Sequence, residues 1–125
     1  MILLLDAHAL LWWLDDSPEL DGQARATIAD PLNEVLVSAA TVWEIEIKRA
    51  LGKLEAPLGL VDALEPAGLG SLPITLRDAE AAAYLPDHHR DPFDRMLVAQ
   101  AQRLDAVVVT RDEVFSAYGV DALRT

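Results

Sequence analysis

The sequence contains no cysteine, no long apolar run and no basic leader at its start. The absence of cysteine excludes disulfides and thiolate metal sites, and it fits an expected cytoplasmic location. No apolar run approaches the roughly 20 residues that a membrane-spanning helix needs. The opening residues lack the basic region of a signal peptide and run into an acid at Asp6, so they predict a buried strand.

Positive charge is also scarce. Ten basic residues stand against 21 acidic ones, which gives a net charge of −11. This balance argues against broad, non-specific binding to nucleic acid, although it permits a local basic rim around an acidic pocket. With 125 residues, 52% apolar and 25% charged, the chain resembles an ordinary globular domain. We find no repeat or linker and predict one domain over residues 1–125.

Apolar runs alternate with helix-like segments along the chain. The predicted strands are Ile2–Leu5, Glu34–Val37, Ser71–Ile74, Val107–Val109 and Val120–Leu123. The predicted helices are Ala7–Leu14, Leu20–Ala29, Ala39–Leu54, Pro57–Leu64, residues 75–85, Asp91–Leu104 and Glu113–Tyr118. In the long third helix we expect a buried stripe of Trp43, Ile47, Ala50, Leu51 and Leu54. The alternation predicts an α/β fold with three layers, in which helices cover both faces of a mainly parallel sheet.

One segment, His89–Arg95, suggests where the chemistry lies. Asp91 can cap the free N–H groups of a helix that starts at Pro92. Asp94 then lies one turn inside, on the same helical face as an apolar stripe of Leu97, Val98 and Ala101. A carboxylate at the head of an inward stripe is costly unless something pairs with it.

Three more acids are placed to join Asp94. Asp6 and Asp112 follow the two most apolar strands, and Glu44 lies near the start of a helix. Each has an ordinary explanation, since the two aspartates can cap helices and Glu44 can form an exposed ion pair with Lys48. Ligands of parallel sheets, however, bind at the carboxyl ends of the strands. Carboxylates converging there would repel one another, and Mg²⁺ or Mn²⁺ would relieve the repulsion.

Basic residues flank these acids. We take Arg90, Arg95, Arg111 and Lys48 as candidates for holding substrate phosphates. Arg95 has an alternative role as the ion-pair partner of Asp91. The imidazole of His8 is expected to tune the site. We assign His88 and His89 to a loop and favour no metal role for them, because the spacing matches no known histidine motif.

Two adjacent tryptophans, Trp12 and Trp13, lie on the short first helix. Adjacent helical residues point about 100° apart, so one can enter the core while the other stays partly exposed. Leu10, Leu11 and Leu14 add apolar surface that so short a helix cannot fully bury. We therefore predict that the tryptophans contribute to a protein interface.

Four blocks of the sequence, in this order, resemble the PIN-domain ribonucleases and most of all the VapC-type toxins of toxin–antitoxin pairs. They are Leu-Leu-Asp-Ala-His, Val-Ser-Ala-Ala-Thr-Val-Trp-Glu-Ile, His-Arg-Asp-Pro-Phe-Asp-Arg-Met-Leu-Val-Ala-Gln-Ala and Val-Val-Thr-Arg-Asp. The resemblance spans the whole chain and implies a PIN fold. It also implies Mg²⁺- or Mn²⁺-dependent endoribonuclease activity on RNA, a cognate antitoxin partner and a homodimer.

The resemblance also implies a set of site residues. The four acids of the family fall on Asp6, Glu44, Asp94 and Asp112, as catalytic residues that hold the metal. The fourth acid is the most variable in the family.

Two other classes remain open at this point. The chain could be a non-catalytic interaction domain on the same scaffold, in which case it would bind no metal. It could also be a phosphoacceptor receiver domain, but receivers need an acid after the third strand and a lysine after the fifth. The only lysines here, Lys48 and Lys53, lie on an early helix.

Overall fold

A computed structural model describes all residues, Met1–Thr125. The strands are β1 (Ile2–Leu5), β2 (Glu34–Ser38), β3 (Gly70–Leu72), β4 (Val107–Thr110) and β5 (Ala122–Arg124). The helices are α1 (Ala7–Leu14), α2 (Gly22–Ala29), α3 (Ala39–Ala50), α4 (Leu60–Leu64), α5 (Leu76–Ala83) and α6 (Pro92–Leu104), followed by a 3-10 helix (Glu113–Tyr118). None of these helices combines the length and apolar character needed to cross a membrane.

The strands form a single five-stranded sheet in the order β3-β2-β1-β4-β5, and every pair is parallel. The chain builds outward from β1 to β3 and then returns to place β4 on the other side of β1. The strand order therefore reverses between β1 and β4, which is where parallel sheets open a ligand crevice. Leu5 pairs with Val109, so Asp6 and Thr110 emerge side by side at this reversal.

Helices cover both faces of the sheet. Residues that alternate along the strands enter two separate cores, as the two-residue period of a strand requires. Leu3, Leu5 and Val109 belong to the core that includes α1, α2 and α4. Leu4 and Val108 belong to the core that includes α6 and the 3-10 helix. The predicted three-layer α/β architecture is therefore confirmed.

Several predicted boundaries shift by a few residues. The segment between α3 and α4 is longer than predicted, because α3 stops at Ala50 and α4 starts only at Leu60. Gly52 and Gly59, with φ of 70° and 68°, provide the left-handed turns that end one helix and begin the next. The last predicted helix has 3-10 rather than α geometry.

The predicted buried stripe of α3 is wrong. Trp43 is 61% exposed and Leu51 is 62% exposed. Ala50 is exposed, while Ile47 and Leu54 are only half-buried. The residues of α3 that are buried are Ala40, Thr41, Glu44 and Ile45. Packing of α3 against α1 and α6 thus buries the face that carries Glu44 rather than the predicted stripe.

Candidate metal and active site

A cavity of about 380 Å³ opens at the carboxyl ends of β1 and β4. It is lined by Asp6, Ala7, His8, Trp12, Glu44, Lys48, Asp91, Asp94, Arg111 and Asp112. All four predicted acids are in this set. Asp91, which the sequence assigned to a helix cap, adds a fifth carboxylate.

Local helix starts position three of these acids. The Asp6 carboxylate accepts the N–H of Ala9 at 2.9 Å, and Asp112 accepts the N–H of Val114 at 2.9 Å. Asp91 accepts the N–H of Phe93 at 2.8 Å, so the predicted cap of α6 is confirmed. In Asp6 and Asp112 the cap occupies one carboxylate oxygen, which leaves the other free of backbone donors. Capping and ligand binding are therefore compatible at these residues.

Asp94 meets a histidine that the sequence did not connect with it. The Nε2 atom of His89 lies 2.8 Å from Oδ2 of Asp94 and 3.3 Å from Oδ2 of Asp112. One ligand atom from each of these three residues lies within 4.8 Å of the other two. The imidazole thus links the start of α6 to the segment after β4.

Tyr118 fixes the loop that carries His89. Its hydroxyl accepts the N–H groups of His88 at 3.1 Å and His89 at 2.9 Å. The same hydroxyl donates to the carbonyl of Pro86 at 2.7 Å. Tyr118 follows the loop by about 30 residues, so no local sequence pattern announces this arrangement.

Glu44 and Lys48 form the predicted ion pair, with Nζ 2.6 Å from Oε2. Glu44 is only 8% exposed, whereas the side chain of Lys48 is 43% exposed, so the pair is not the wholly exposed one of the ordinary explanation. Its hydrogen bond to Glu44 raises the pKa of Lys48, so the ammonium keeps its charge at neutral pH. The cavity therefore contains a fixed positive charge beside its acids.

Burial and repulsion perturb two of the carboxylates. Burial, together with the nearby charge of Asp91, raises the pKa of Asp94 to about 6 from 3.8, although the bond to His89 acts in the opposite direction. Burial also raises the pKa of Asp6, against the lowering effect of a hydrogen bond with Thr110. Such shifts mean that burial and mutual repulsion disfavour the charged forms of these acids, even with Lys48 in the same cavity. A set of carboxylate oxygens of this kind fits Mg²⁺ or Mn²⁺.

The predicted basic residues separate into two groups. Arg111 lines the cavity, with its guanidinium carbon 4.3 Å from the ring centroid of Trp12. Arg90 is exposed and lines a neighbouring depression. Arg95 lines the same depression and donates to the backbone carbonyls of Ala82, Leu85, Pro86 and His89 at 2.9–3.1 Å. Arg95 therefore holds the end of α5 and the following loop against α6 and does not pair with Asp91, while its role in substrate binding stays a prediction.

Neither tryptophan is fully in the core, although one of the two was expected there. Trp13 donates its indole N–H to the carbonyl of Ala67 at 3.1 Å. Trp12 stacks on His8 with ring centroids 5.4 Å apart, and both tryptophans are half-buried. A more exposed aromatic residue is Trp43, which contacts Phe93 edge-on at a centroid distance of 5.4 Å. The interface role of Trp12 and Trp13 stays a prediction.

The fold is that of an open α/β protein, which binds its ligand at the carboxyl ends of the strands where the strand order reverses. In this chain that edge of the sheet carries acids. Residues 3–121 match the family model of the PIN domain, so the chain belongs to the PIN domain family. The members of this family are nucleases. No curated protein matches the chain.

Solved structures share the fold over nearly the whole chain. VapBC2 from Rickettsia felis, bound to a DNA fragment from its promoter, is 14% identical with a TM-score of 0.72, covering 99% of this chain and 98% of that one. VapBC-1 from nontypeable Haemophilus influenzae is 17% identical with a TM-score of 0.70 and the same coverage. DNA-bound VapBC from Salmonella typhimurium is 16% identical, with a TM-score of 0.68 and again the same coverage. At these identities the likeness establishes the fold alone.

Proposed function

We propose that this chain is a metal-dependent endoribonuclease that acts as the toxin of a toxin–antitoxin pair. The observation that carries the proposal is the convergence of Asp6, Glu44, Asp94 and Asp112 on one cavity at the reversal of strand order. Membership of the PIN domain family and the sequence resemblance to VapC-type toxins support the same function.

The four acids would hold Mg²⁺ or Mn²⁺. When bound, a divalent ion stabilises negative charge on a phosphodiester and lowers the pKa of nearby water. Asp6 and Asp94 are the best placed to respond, because burial disfavours their charged forms in the absence of a cation. Asp112 is held through its cap and through His89, which accounts for its presence at the same edge.

The cations on the cavity wall would position the substrate. Lys48 and Arg111 are the basic residues that line the cavity. A guanidinium can hold a phosphate through two parallel hydrogen bonds, while an ammonium acts as a point charge. With a net charge of −11, the chain would bind RNA through this local site rather than over its whole surface.

The partners are inferred from chemistry and from the VapBC likeness. A cognate antitoxin would carry a segment rich in Arg or Lys to complement the charge of −11, and a second copy of the chain would complete a homodimer. We expect this assembly to act in the cytoplasm. Light scattering of the chain alone and with the candidate antitoxin, repeated with Trp12→Ala and Trp13→Ala, tests whether the tryptophans take part.

The reaction is tested with purified protein and RNA that contains single-stranded loops. We expect cleavage in Mg²⁺ or Mn²⁺, none in EDTA, and loss of cleavage in Asp6→Asn. Water attack leaves 5′-phosphate and 3′-hydroxyl ends, whereas attack by the ribose 2′-hydroxyl leaves a 2′,3′-cyclic phosphate. Cyclic ends would contradict the metal-dependent mechanism. Absence of both cleavage and metal binding would favour a non-catalytic interaction domain.

A further inference from the structure

His89 occupies a position that the four-acid description leaves unexplained. Its Nε2 atom contacts the carboxylates of Asp94 and Asp112, which come from separate elements of the fold. The side chain is 24% exposed. It therefore lies mostly buried between the two acids, at the side of the neighbouring depression.

The other ring nitrogen indicates the tautomer. The backbone N–H of Asp91 points to Nδ1 of His89 at 3.4 Å. A nitrogen that accepts an N–H must present a lone pair, so in the neutral ring the proton is on Nε2. The Nε2–H group then donates to Asp94, and an oxygen of Asp112 lies 3.3 Å from the same nitrogen.

The same bond argues against a metal–nitrogen bond. A histidine that binds metal through Nε2 carries its proton on Nδ1 and donates it to a carbonyl, a carboxylate or water. Here a proton on Nδ1 would point at the N–H of Asp91. The backbone of His89 is also held by hydrogen bonds with Tyr118 and Arg95, which fixes the position of its Cα beside the two acids.

We propose that His89 is a positioning residue, which fixes Asp94 as a metal ligand by donating its Nε2–H to one oxygen of that carboxylate and keeps Asp112 beside it at 3.3 Å. This inference rests on the proposed metal site and assigns it a residue outside the four acids. Each carboxylate has two oxygens, so Asp94 keeps its second oxygen for a cation while His89 occupies the first. Hydrogen-bond partners of this kind commonly change metal affinity about 10- to 100-fold when removed.

The test measures Mn²⁺ binding to the full chain by the loss of the free-ion electron paramagnetic resonance signal, without any activity assay. We expect His89→Ala to weaken Mn²⁺ binding about 10- to 100-fold. His89→Gln should restore most of the affinity, because its amide N–H can replace the Nε2–H donor. The control is His88→Ala, which removes a neighbouring imidazole that contacts Tyr118 but neither acid, and it should leave the affinity unchanged.

Pulsed resonance on the same samples separates positioning from direct coordination. If His89 only positions the acids, none of its nitrogens couples to bound Mn²⁺. The nitrogen couplings should then be the same in the unchanged protein and in His89→Ala. A coupling that disappears in His89→Ala would make His89 a ligand and overturn the proposal. Equal or tighter Mn²⁺ binding by His89→Ala would also overturn it, since the imidazole would then compete with the ion. If Asp94→Asn binds Mn²⁺ like the unchanged protein, the metal site itself is wrong, and this outcome is distinct from a failure of His89.

Discussion

Asp78 and Asp94 occupy the same place on two neighbouring helices and have opposite environments. Each is the third residue of its helix, α5 for Asp78 and α6 for Asp94. Asp78 is 1% exposed and receives two hydrogen bonds from Arg103, at 2.7 and 3.0 Å. Burial alone would raise its pKa, but the bonds from Arg103 and from the Thr75 cap outweigh burial and lower it.

Asp94 pairs with no arginine, and its side-chain hydrogen-bond partner is the imidazole of His89. The cap of its helix is another acid, Asp91, whose charge adds to the effect of burial and brings the pKa of Asp94 to about 6. Thr75 and Asp78 form a reciprocal capping box, whereas Asp91 and Asp94 repel one another. The same residue type at the same helical position thus forms an ion pair in one helix and is a proposed metal ligand in the other. The difference between the two aspartates comes from the neighbouring side chains that the fold places beside each one.

The largest expected difference concerns catalysis. Asp94→Asn should lower the rate of RNA cleavage by more than about 100-fold, beyond the usual effect of losing a hydrogen-bond partner of a metal ligand. Asp78→Asn should retain the rate within about twofold once both proteins are confirmed folded, because Asp78 lies outside the cavity. Initial rates on one RNA, measured in Mn²⁺, check the pair. Equal losses in both variants would remove the distinction.

For the free energy of unfolding we expect the opposite order, with the larger loss on substitution of Asp78 rather than of Asp94. Asp78→Ala removes the hydrogen bonds to Arg103 and to the Thr75 N–H, and we expect the free energy of unfolding to fall by about 2 kcal/mol. Urea titration followed by circular dichroism measures the change. A loss below about 0.5 kcal/mol would show that the pair with Arg103 contributes no more than an ordinary surface ion pair.

The metal-free protein should respond to pH through Asp94. Its folded pKa of about 6 exceeds the ordinary value of 3.8, so the folded state binds more protons between these values and stability falls as pH rises through this window. Asp94→Asn removes the charge and should raise the free energy of unfolding by about 1–2 kcal/mol at pH 7 and above. The gain should decrease on acidification and vanish near pH 4. Urea titrations in EDTA across this range test it, and a gain independent of pH would contradict the assignment.

The elements that the sequence predicted well are those whose signals are local. Helix α1 spans the predicted Ala7–Leu14, because Asp6 caps it and a buried strand precedes it. Asp91 and Pro92 likewise mark the start of α6. The ends of α3 and α4 depend on turns at Gly52 and Gly59, whose positive φ is set by the folded chain.

The candidate site was predictable in its acids but not in its histidine. Asp6 and Asp112 are determined by strand ends, a pattern visible along the chain. Glu44 was predicted as a site residue, but the buried face of α3 was predicted wrongly. The reason is that α3 buries an acid and exposes Trp43, against the usual pattern of apolar residues inside. His89 depends on Tyr118, about 30 residues later, and a contact of that separation leaves no periodic trace.

The smallest effect is expected at Arg111. Arg103 pairs with Asp78 outside the cavity, whereas Arg111 lines the cavity and also pairs with Glu19 and donates to the carbonyl of Thr125. If Arg111 contacts one phosphate of the RNA, Arg111→Gln should lower the salt-dependence slope of binding by about 0.7. The measurement uses single-stranded RNA and the Asp94→Asn background, so that binding is separated from cleavage. An unchanged slope would place the RNA away from Arg111.

The most direct test of the acidic edge is thermal unfolding with and without Mn²⁺. A ligand that binds only the folded state raises its stability by about 2.7 kcal/mol at 100 times its dissociation constant. We predict that Mn²⁺ raises the melting temperature of the unchanged chain, and that this response is lost in the Asp6→Asn, Asp94→Asn double variant. An equal rise in the double variant would show that the ion binds elsewhere and would contradict the account.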